Sequence, residues 1–153
     1  NLNMSLKETD ARIRIDKMLL ESGWKLPGWH EDKEINVKTE IKNEHGEADD
    51  VLWNSKGFFL CTVEAKNSSK SPLAGKEKSR QYAQSLKSRF IILSNGIKHY
   101  LWDTKLGNPH LIDRLPTQKY LELRGGKKGF FLLDDLLKKI NDKTFYHRLK
   151  NQE

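Results

Sequence analysis

The sequence predicts an α/β fold, with an amphipathic helix, three strands, a second helix and two further strands in that order. Three observations carry the prediction. Apolar residues recur at helical spacing near the N-terminus. They then alternate with polar residues at a period of two from Ile35 onward, and an Asn-Gly dipeptide later joins two apolar runs. At 153 residues the chain fits one domain of the usual ~100–200 residues, and four Trp, four Tyr and six Phe are enough to build its core.

The elements follow in order. Ser5 and Glu8 form a Ser-x-x-Glu capping box, and Ala11, Ile15, Met18, Leu19 and Ser22 continue at helical spacing until Gly23. This predicts a helix of about 17 residues. Beyond the aromatic loop Trp24 to Trp29, Ile35, Val37, Thr39 and Ile41 alternate with polar residues, as a strand with one wet face does. Ala48 to Trp53 and Phe58 to Lys66 read as a hairpin around Asn54-Ser55-Lys56-Gly57. Between Leu73 and Lys87, a narrow helical face of Gly75, Ser79, Tyr82, Ala83 and Leu86 is set against Lys76, Arg80 and Lys87. Phe90 to Leu93 is a buried strand, Asn95-Gly96 a hairpin turn, and Ile97 to Trp102 the returning partner. After Pro109 the pattern weakens. Gly125-Gly126 marks a joint, and Phe131, Leu133, Leu136, Leu137 and Ile140 suit a helix from Phe130 to Ile140.

A net charge of +7 and a pI of about 9.4 favour an anionic partner, nucleic acid being the usual one, although a basic surface alone has no function attached. No apolar run approaches the ~20 residues that span a bilayer, and the opening lacks the pattern of a signal peptide, so a cytoplasmic protein without a membrane partner is expected. Residues 1–3, which precede Met4, are set aside. Cys61 excludes an internal disulfide and belongs to the apolar run Phe58 to Cys61. His30, His45, His99, His110 and His147 lack zinc spacing. Gly125-Gly126-Lys127-Lys128-Gly129 lacks the spacing of a phosphate-binding loop, so no ATP site is expected in this chain, and no Ser-His-Asp set stands out.

Chemistry concentrates in the first hairpin. Residues two apart on a strand share a face, so Glu64 and Lys66 emerge together and Ala65 points into the opposite layer. With a connection of two or four residues, Asp49 shares that face, opposite Glu64 or one pair removed. An odd connection would place Asp50 there instead. Two converging carboxylates repel, and a hard oxygen-seeking cation such as Mg²⁺ relieves the repulsion. Such a cation polarises a phosphodiester, and Lys66 would orient the attacking water or offset charge on the phosphate. By spacing alone, most Asp…Glu-x-Lys sets are solvated strand faces or salt bridges. Lys66 to Arg89 contains seven Lys or Arg and a single acid, Glu77, and from that basic helix Lys76, Arg80 and Lys87 are candidate DNA contacts. The bland alternative is a solvated helix face. Ser68 and Ser69 fit either a substrate loop or ordinary turn chemistry. Glu8, Arg12 and Asp16 form a charged row at i, i+4, i+8, which as a surface feature is an ion-pair ladder with Arg12 holding Glu8.

An ordered set of motifs sharpens this reading. Glu8-Thr9-Asp10-Ala11-Arg12-Ile13-Arg14-Ile15-Asp16 precedes Gly23-Trp24. Gly46-Glu47-Ala48-Asp49-Asp50-Val51-Leu52, Val63-Glu64-Ala65-Lys66, Gln81-Tyr82-Ala83 and Ile91-Ile92-Leu93-Ser94-Asn95-Gly96 follow. Over roughly residues 5–116 the set resembles the N-terminal nuclease domain of the R (restriction and motor) subunit of type I restriction enzymes, in the PD-(D/E)XK superfamily. The resemblance implies a restriction-endonuclease-like mixed β-sheet flanked by α-helices in one domain, with a helical extension at about 117–153. It implies Asp49 and Glu64 as metal ligands, selecting Asp49 over Asp50, and Lys66 as the catalytic lysine. Glu8 and Tyr82 become supporting residues of the active site. The implied activity is Mg²⁺-dependent hydrolysis of double-stranded DNA. The implied partners are an ATP-driven motor beyond this chain and modification and specificity subunits. The alternative is a basic DNA-binding or assembly domain that keeps the fold without cutting. Two departures stand out: Asp50 occupies a position that is usually aromatic, and Lys78 stands where a Gln usually lies four residues before the tyrosine.

Overall fold

A computed structural model describes residues 2–125 of the protein, with side-chain surroundings from Glu8 onward. Helix α1 (Leu2–Glu21) leads through a 3₁₀ turn (Asp32–Glu34) into strands β1 (Val37–Asn43), β2 (Gly46–Trp53) and β3 (Phe59–Ala65). Helix α2 (Lys76–Ser85) crosses to β4 (Phe90–Ser94), then β5 (His99–Asp103), β6 (His110–Ile112) and helix α3 (Gln118–Gly125) complete the described chain. The six strands lie side by side in sequence order. Neighbours are antiparallel except β3 and β4, which are parallel. That exception has a cause: a parallel partner cannot be reached by a tight turn, and α2 supplies the long crossover. The expected mixed sheet flanked by helices is what the chain adopts.

Side-chain alternation sorts the layers. Ile15 and Leu19 of α1 and Leu121 of α3 join Leu52, Val63, Phe90, Ile92 and Leu101 in one core cluster. On the opposite face Ala83 of α2 meets Ile91, Leu93 and Trp102, while Tyr82 meets Ala48 and Val51. β4 therefore carries apolar residues on both faces, and all five of its residues are buried, which is why Phe90 to Leu93 reads as an unbroken apolar run. Cys61 is a buried free thiol within the first cluster, as expected. The end of α1 is tied down by Ser22 Oγ, which donates to Leu115 O at 2.7 Å, and by Trp24 Nε1, which donates to Pro116 O at 2.8 Å. Among the described residues no helix is long and apolar enough to cross a membrane.

Several boundaries differ from expectation. α1 begins before Ser5, so the Ser5–Glu8 box lies inside the helix, where Leu2, Met4 and Leu6 are good enough helix formers to extend it. β1 starts at Val37 rather than Ile35, because the 3₁₀ turn runs up to Ile35. α2 begins only after Gly75, whose left-handed φ of 75° starts the helix cleanly. Strand β6 was not foreseen, its three residues showing no alternating burial, while helix α3, in which Leu121 alone is buried, falls where a helical extension was expected. The expected helix from Phe130 to Ile140, Gly126 of the joint and His147 lie outside the described residues.

The Asn95-Gly96 turn is a four-residue loop from Asn95 to Lys98 rather than a two-residue one, with Ser94 paired to His99. Asn95 Oδ1 accepts from the N–H groups of Ile97 at 3.0 Å and Lys98 at 2.8 Å, and this side-chain turn widens the loop. Gly96 has φ 86°, and a Cβ there would lie 3.1 Å from the Cα of Ala11. Glycine is thus required twice, by conformation and by contact with α1. Gly96→Ala should lower stability by roughly 1–3 kcal/mol, read from urea midpoints. An unchanged midpoint would mean that the loop does not rest on α1.

Candidate active site

Which aspartate faces Glu64 is decided by register. Trp53 pairs with Phe59, leaving the five residues Asn54 to Phe58 between them, an odd connection that by itself would bring Asp50 to Glu64's face. A bulge between Leu52 and Trp53 then shifts the ladder by one, so that Leu52 pairs with Cys61 and Asp50 with Val63. One step on, Asp49 stands across from Glu64. The even connection assumed from sequence is therefore corrected, while the placement of Asp49 survives because two odd offsets cancel.

Asp50 turns to the α1 side, is 4% exposed and shares a hydrogen bond between carboxyl groups with Asp16. Such a bond needs one proton. Burial, then the Asp16 and Asp49 charges, push the Asp50 carboxyl up to about 7. Asp16 also rises, chiefly by burial, against the pull of Arg12. The position where the resemblance implies an aromatic residue thus carries a buried acid whose carboxyl sits near 7.

Glu64 and Lys66 share a face as expected, with Lys66 Nζ 3.8 Å from Glu64 Oε1, while Ala65 lies in the α1-side core. Asp49 Oδ2 accepts from Ala65 N–H at 2.7 Å, and Arg12 Nε lies 3.7 Å from Asp49 Oδ1. Burial pushes the Asp49 carboxyl up, opposed by the Ala65 N–H and the Arg12 charge. Glu64 rises to about 7, first through burial and then through the Asp49 charge, with Lys66 pulling against them. Glu8 and Glu47 add repulsion at both carboxylates. A recess of about 340 Å³ is lined by Glu8, Glu40, Glu47, Asp49 and Glu64 together with the cations Arg12 and Lys42. It adjoins a larger cleft of about 650 Å³, where Glu64 and Lys66 meet Lys42 of β1, the turn at His45 and Lys78, Ser79 and Gln81 of α2.

The donor set suits a hard divalent cation: two half-buried carboxylates, short of counter-charge, beside open volume. Among the described residues no three His, Cys, Asp or Glu side chains form a ready-made metal cluster. Mg²⁺ is commonly held by one or two carboxylates with water and substrate phosphate completing the shell, so the pair of Asp49 and Glu64 fits it.

Other candidates are dispersed. Glu8 reaches the recess, but the described ion pairs of Arg12 are with Glu40 and Asp49 rather than Glu8. Tyr82 is 1% exposed beneath Gly46, its hydroxyl lacks a hydrogen-bond partner among the described residues, and it does not line the cleft. Lys76 lies over the Trp102 ring, 5.3 Å from its centroid, and Arg80 is paired with Glu77 at 2.9 Å. Lys87, beyond the far end of α2, borders a separate depression with Ser88 and Lys105. The cations that do line the cleft are Lys42, Lys66 and Lys78. Lys42 was missed, its place beside the motif strand following from its ladder pairing with Glu47, which the structure reveals. Asn67 Oδ1 accepts from Ser69 N–H and Oγ, so turn chemistry accounts for Ser69.

Residues 17–116 match the family model described as the type I restriction enzyme R protein N terminus (HSDR_N). The chain belongs to this family. A solved fragment assigned as an HsdR subunit of a type I restriction enzyme from Vibrio vulnificus YJ016 is similar, with a TM-score of 0.62 and 25% identity over 76% of this chain. The match covers 25% of that fragment, so this HSDR_N chain spans about a quarter of its length. No curated protein matches the chain. Asp49, Glu64, Lys66, Lys42 and Lys78 fall inside the HSDR_N match, whereas Glu8 and Arg12 precede it.

The raised carboxyls make stability depend on pH. Glu64 holds its proton more tightly in the fold, at about 7, than at its ordinary 4.5. That contribution to stability is complete below about 4.5 and is lost as pH rises through about 7. Asp50 acts in the same direction from an ordinary 3.8. Without divalent cations, the urea midpoint should fall between pH 5 and pH 8, and fall less in Glu64→Gln. A midpoint that rises over this interval would contradict the burial assigned to both carboxyls.

Proposed function

We propose that this HSDR_N domain is a PD-(D/E)XK-type endonuclease module that hydrolyses DNA phosphodiesters with Mg²⁺, as the cleavage part of a type I restriction R subunit. The convergence of Asp49 and Glu64 with Lys66 at the edge of an open cleft carries this reading. Asp49 and Glu64 would hold the cation. When bound, it supplies Lewis acidity toward the phosphate and the attacking water. Glu64, whose carboxyl is raised to about 7 by burial and then by the Asp49 charge, would hold the cation in its deprotonated form. Lys66, tethered beside Glu64, offsets charge growing on the phosphate oxygens and orients the water. Lys42 and Lys78 flank the cleft and suit phosphates on either side of the scissile one. Double-stranded DNA is then the substrate. A motor on the rest of the R subunit and the modification and specificity subunits are the partners, in the cytoplasm.

One observation favours the rival reading, a DNA-binding or assembly domain that does not cut: no three potential ligands are clustered in advance among the described residues. Calorimetric Mg²⁺ titration of wild type and Glu64→Ala, with plasmid nicking scored on the same samples, separates the two. The nuclease reading expects binding and nicking to vanish together in Glu64→Ala, while Lys66→Ala keeps the cation and loses nicking by about a hundredfold or more. DNA binding with no cation dependence in wild type would establish the rival.

The cleft lysines are tested by salt. Lys42→Ala and Lys78→Ala should each lower the slope of log affinity against log salt by about one, measured by anisotropy on duplex DNA. Lys87→Ala should leave it unchanged, and the reverse pattern would return the interface to the far end of α2.

A further inference from the structure

Glu40 lies within β1 with φ 52°, a left-handed conformation that non-glycine residues adopt at a cost. Strain of this kind persists only where the surroundings enforce it. The ladder shows where it acts. Thr39 pairs with Asp50 and Ile41 with Ala48, but Glu40 makes no pair with Asp49, the residue between them. The irregularity in β1 therefore sits directly opposite Asp49.

The Glu40 side chain reaches toward α1, where Arg12 Nη1 donates to Glu40 Oε1 at 3.2 Å. The same guanidinium stands 3.7 Å from Asp49 Oδ1, beyond hydrogen-bond range. Asp49 Oδ2 is engaged by Ala65 N–H, so Oδ1 is the oxygen still open to a ligand. Arginine and aspartate left together close to about 2.7–2.9 Å and tend to engage both oxygens. Arg12 has not closed on Asp49, and the competing anion is Glu40.

We propose that Glu40 is a positioning residue that draws Arg12 away from Asp49, keeping Asp49 Oδ1 open to a divalent cation. This rests on the reading of Asp49 and Glu64 as a cation site. Arg12 has two roles in it. Before the cation arrives, its charge relieves the crowding of Asp49, Glu8 and Glu47. When the cation binds, Glu40 keeps the guanidinium charge neutralised and off the occupied oxygen. The strained backbone is the cost of placing an exposed carboxylate at that point of β1, the edge strand, across from Asp49.

The test is a double-mutant cycle on cation affinity, using Mn²⁺ or Mg²⁺ calorimetry on the 153-residue chain. Glutamine replaces each charge at similar size, and Glu40→Gln leaves the backbone demand at residue 40 unchanged. Glu40→Gln should weaken cation binding about tenfold, the scale expected when one charge closes on a half-buried ligand by about an ångström. Arg12→Gln should bind at least as tightly as wild type. In the Arg12→Gln background, adding Glu40→Gln should change affinity by less than about twofold.

If Glu40 merely adds negative charge that attracts the cation, Glu40→Gln weakens binding by the same factor in both backgrounds, and the proposal fails. Should Glu40→Gln fold poorly, Glu40→Gly carries the same test, because glycine accepts the left-handed conformation without strain. A wild type that binds no cation overturns the carboxylate-pair reading itself, whereas a wild type that binds, with an additive cycle, overturns the role of Glu40 alone.

Discussion

The bulge between Leu52 and Trp53 sets the parity of β2 against β3, and every side chain on the motif strand takes its layer from that parity. With it, Leu52 joins the α1-side core, Val51 meets the α2-side cluster, Asp50 reaches Asp16, and Asp49 comes to Glu64. Without it, all four would exchange faces. Asp50 would then enter the α2-side core opposite Thr62, and Ala48 would stand across from Glu64 in place of Asp49. Bulges recur beside functional sites because one extra residue re-aims a side chain at small cost to the rest of the ladder. Here the correct aspartate and an intact core are a single requirement.

Once register has placed the acids together, their repulsion governs the rest of the site. Glu64 and Asp50 both sit near 7, burial being the larger cause in each, and the compensating cations are few: Arg12 beside Asp49 and Lys66 beside Glu64. An arrangement selected for stability alone would not bring these groups together, since ionising either costs folding free energy. Sites that bind charge commonly trade stability for a field ready for a ligand. The hydrogen bond between Asp16 and Asp50 limits the cost by retaining a proton on one side of the strand. On the other side Asp49 remains available, and both functions come from adjacent residues of β2.

Most of the fold was legible because its periods were clean. The spacing of Ala11, Ile15 and Leu19 and the unbroken run of β4 identify a helix and a doubly covered strand, and Gly23 marks the end of the first helix. What escaped was short or barely amphipathic. β6 buries too few side chains to impose a period, and the 3₁₀ turn before β1 has no buried residue at all. In the site, Glu64 and Lys66 followed from strand geometry alone. Asp49 depended on a connection length and a bulge, and sequence shows neither offset. Arg12 illustrates a different limit: helical spacing correctly placed it near Glu8, yet its partners come from β1 and β2, which only tertiary structure reveals.

The basic character of α2 raises the same issue at the level of surfaces. Composition gives the sign of a field and leaves its location open, since a lysine already placed over an indole or an arginine already paired offers less to a phosphate. Lys76 and Arg80 are committed in these ways, and Lys87 lies beyond the opposite end of the helix from Gly75 and the cleft. Lys78 lines the cleft, at the position where the resemblance read from sequence implies a glutamine. An amide there would act through directed hydrogen bonds, which need a well-placed acceptor. An ammonium attracts phosphate from any direction and makes the potential of the cleft more positive. On the proposed function, a lysine at this place would hold a backbone phosphate by charge rather than by directed hydrogen bonds.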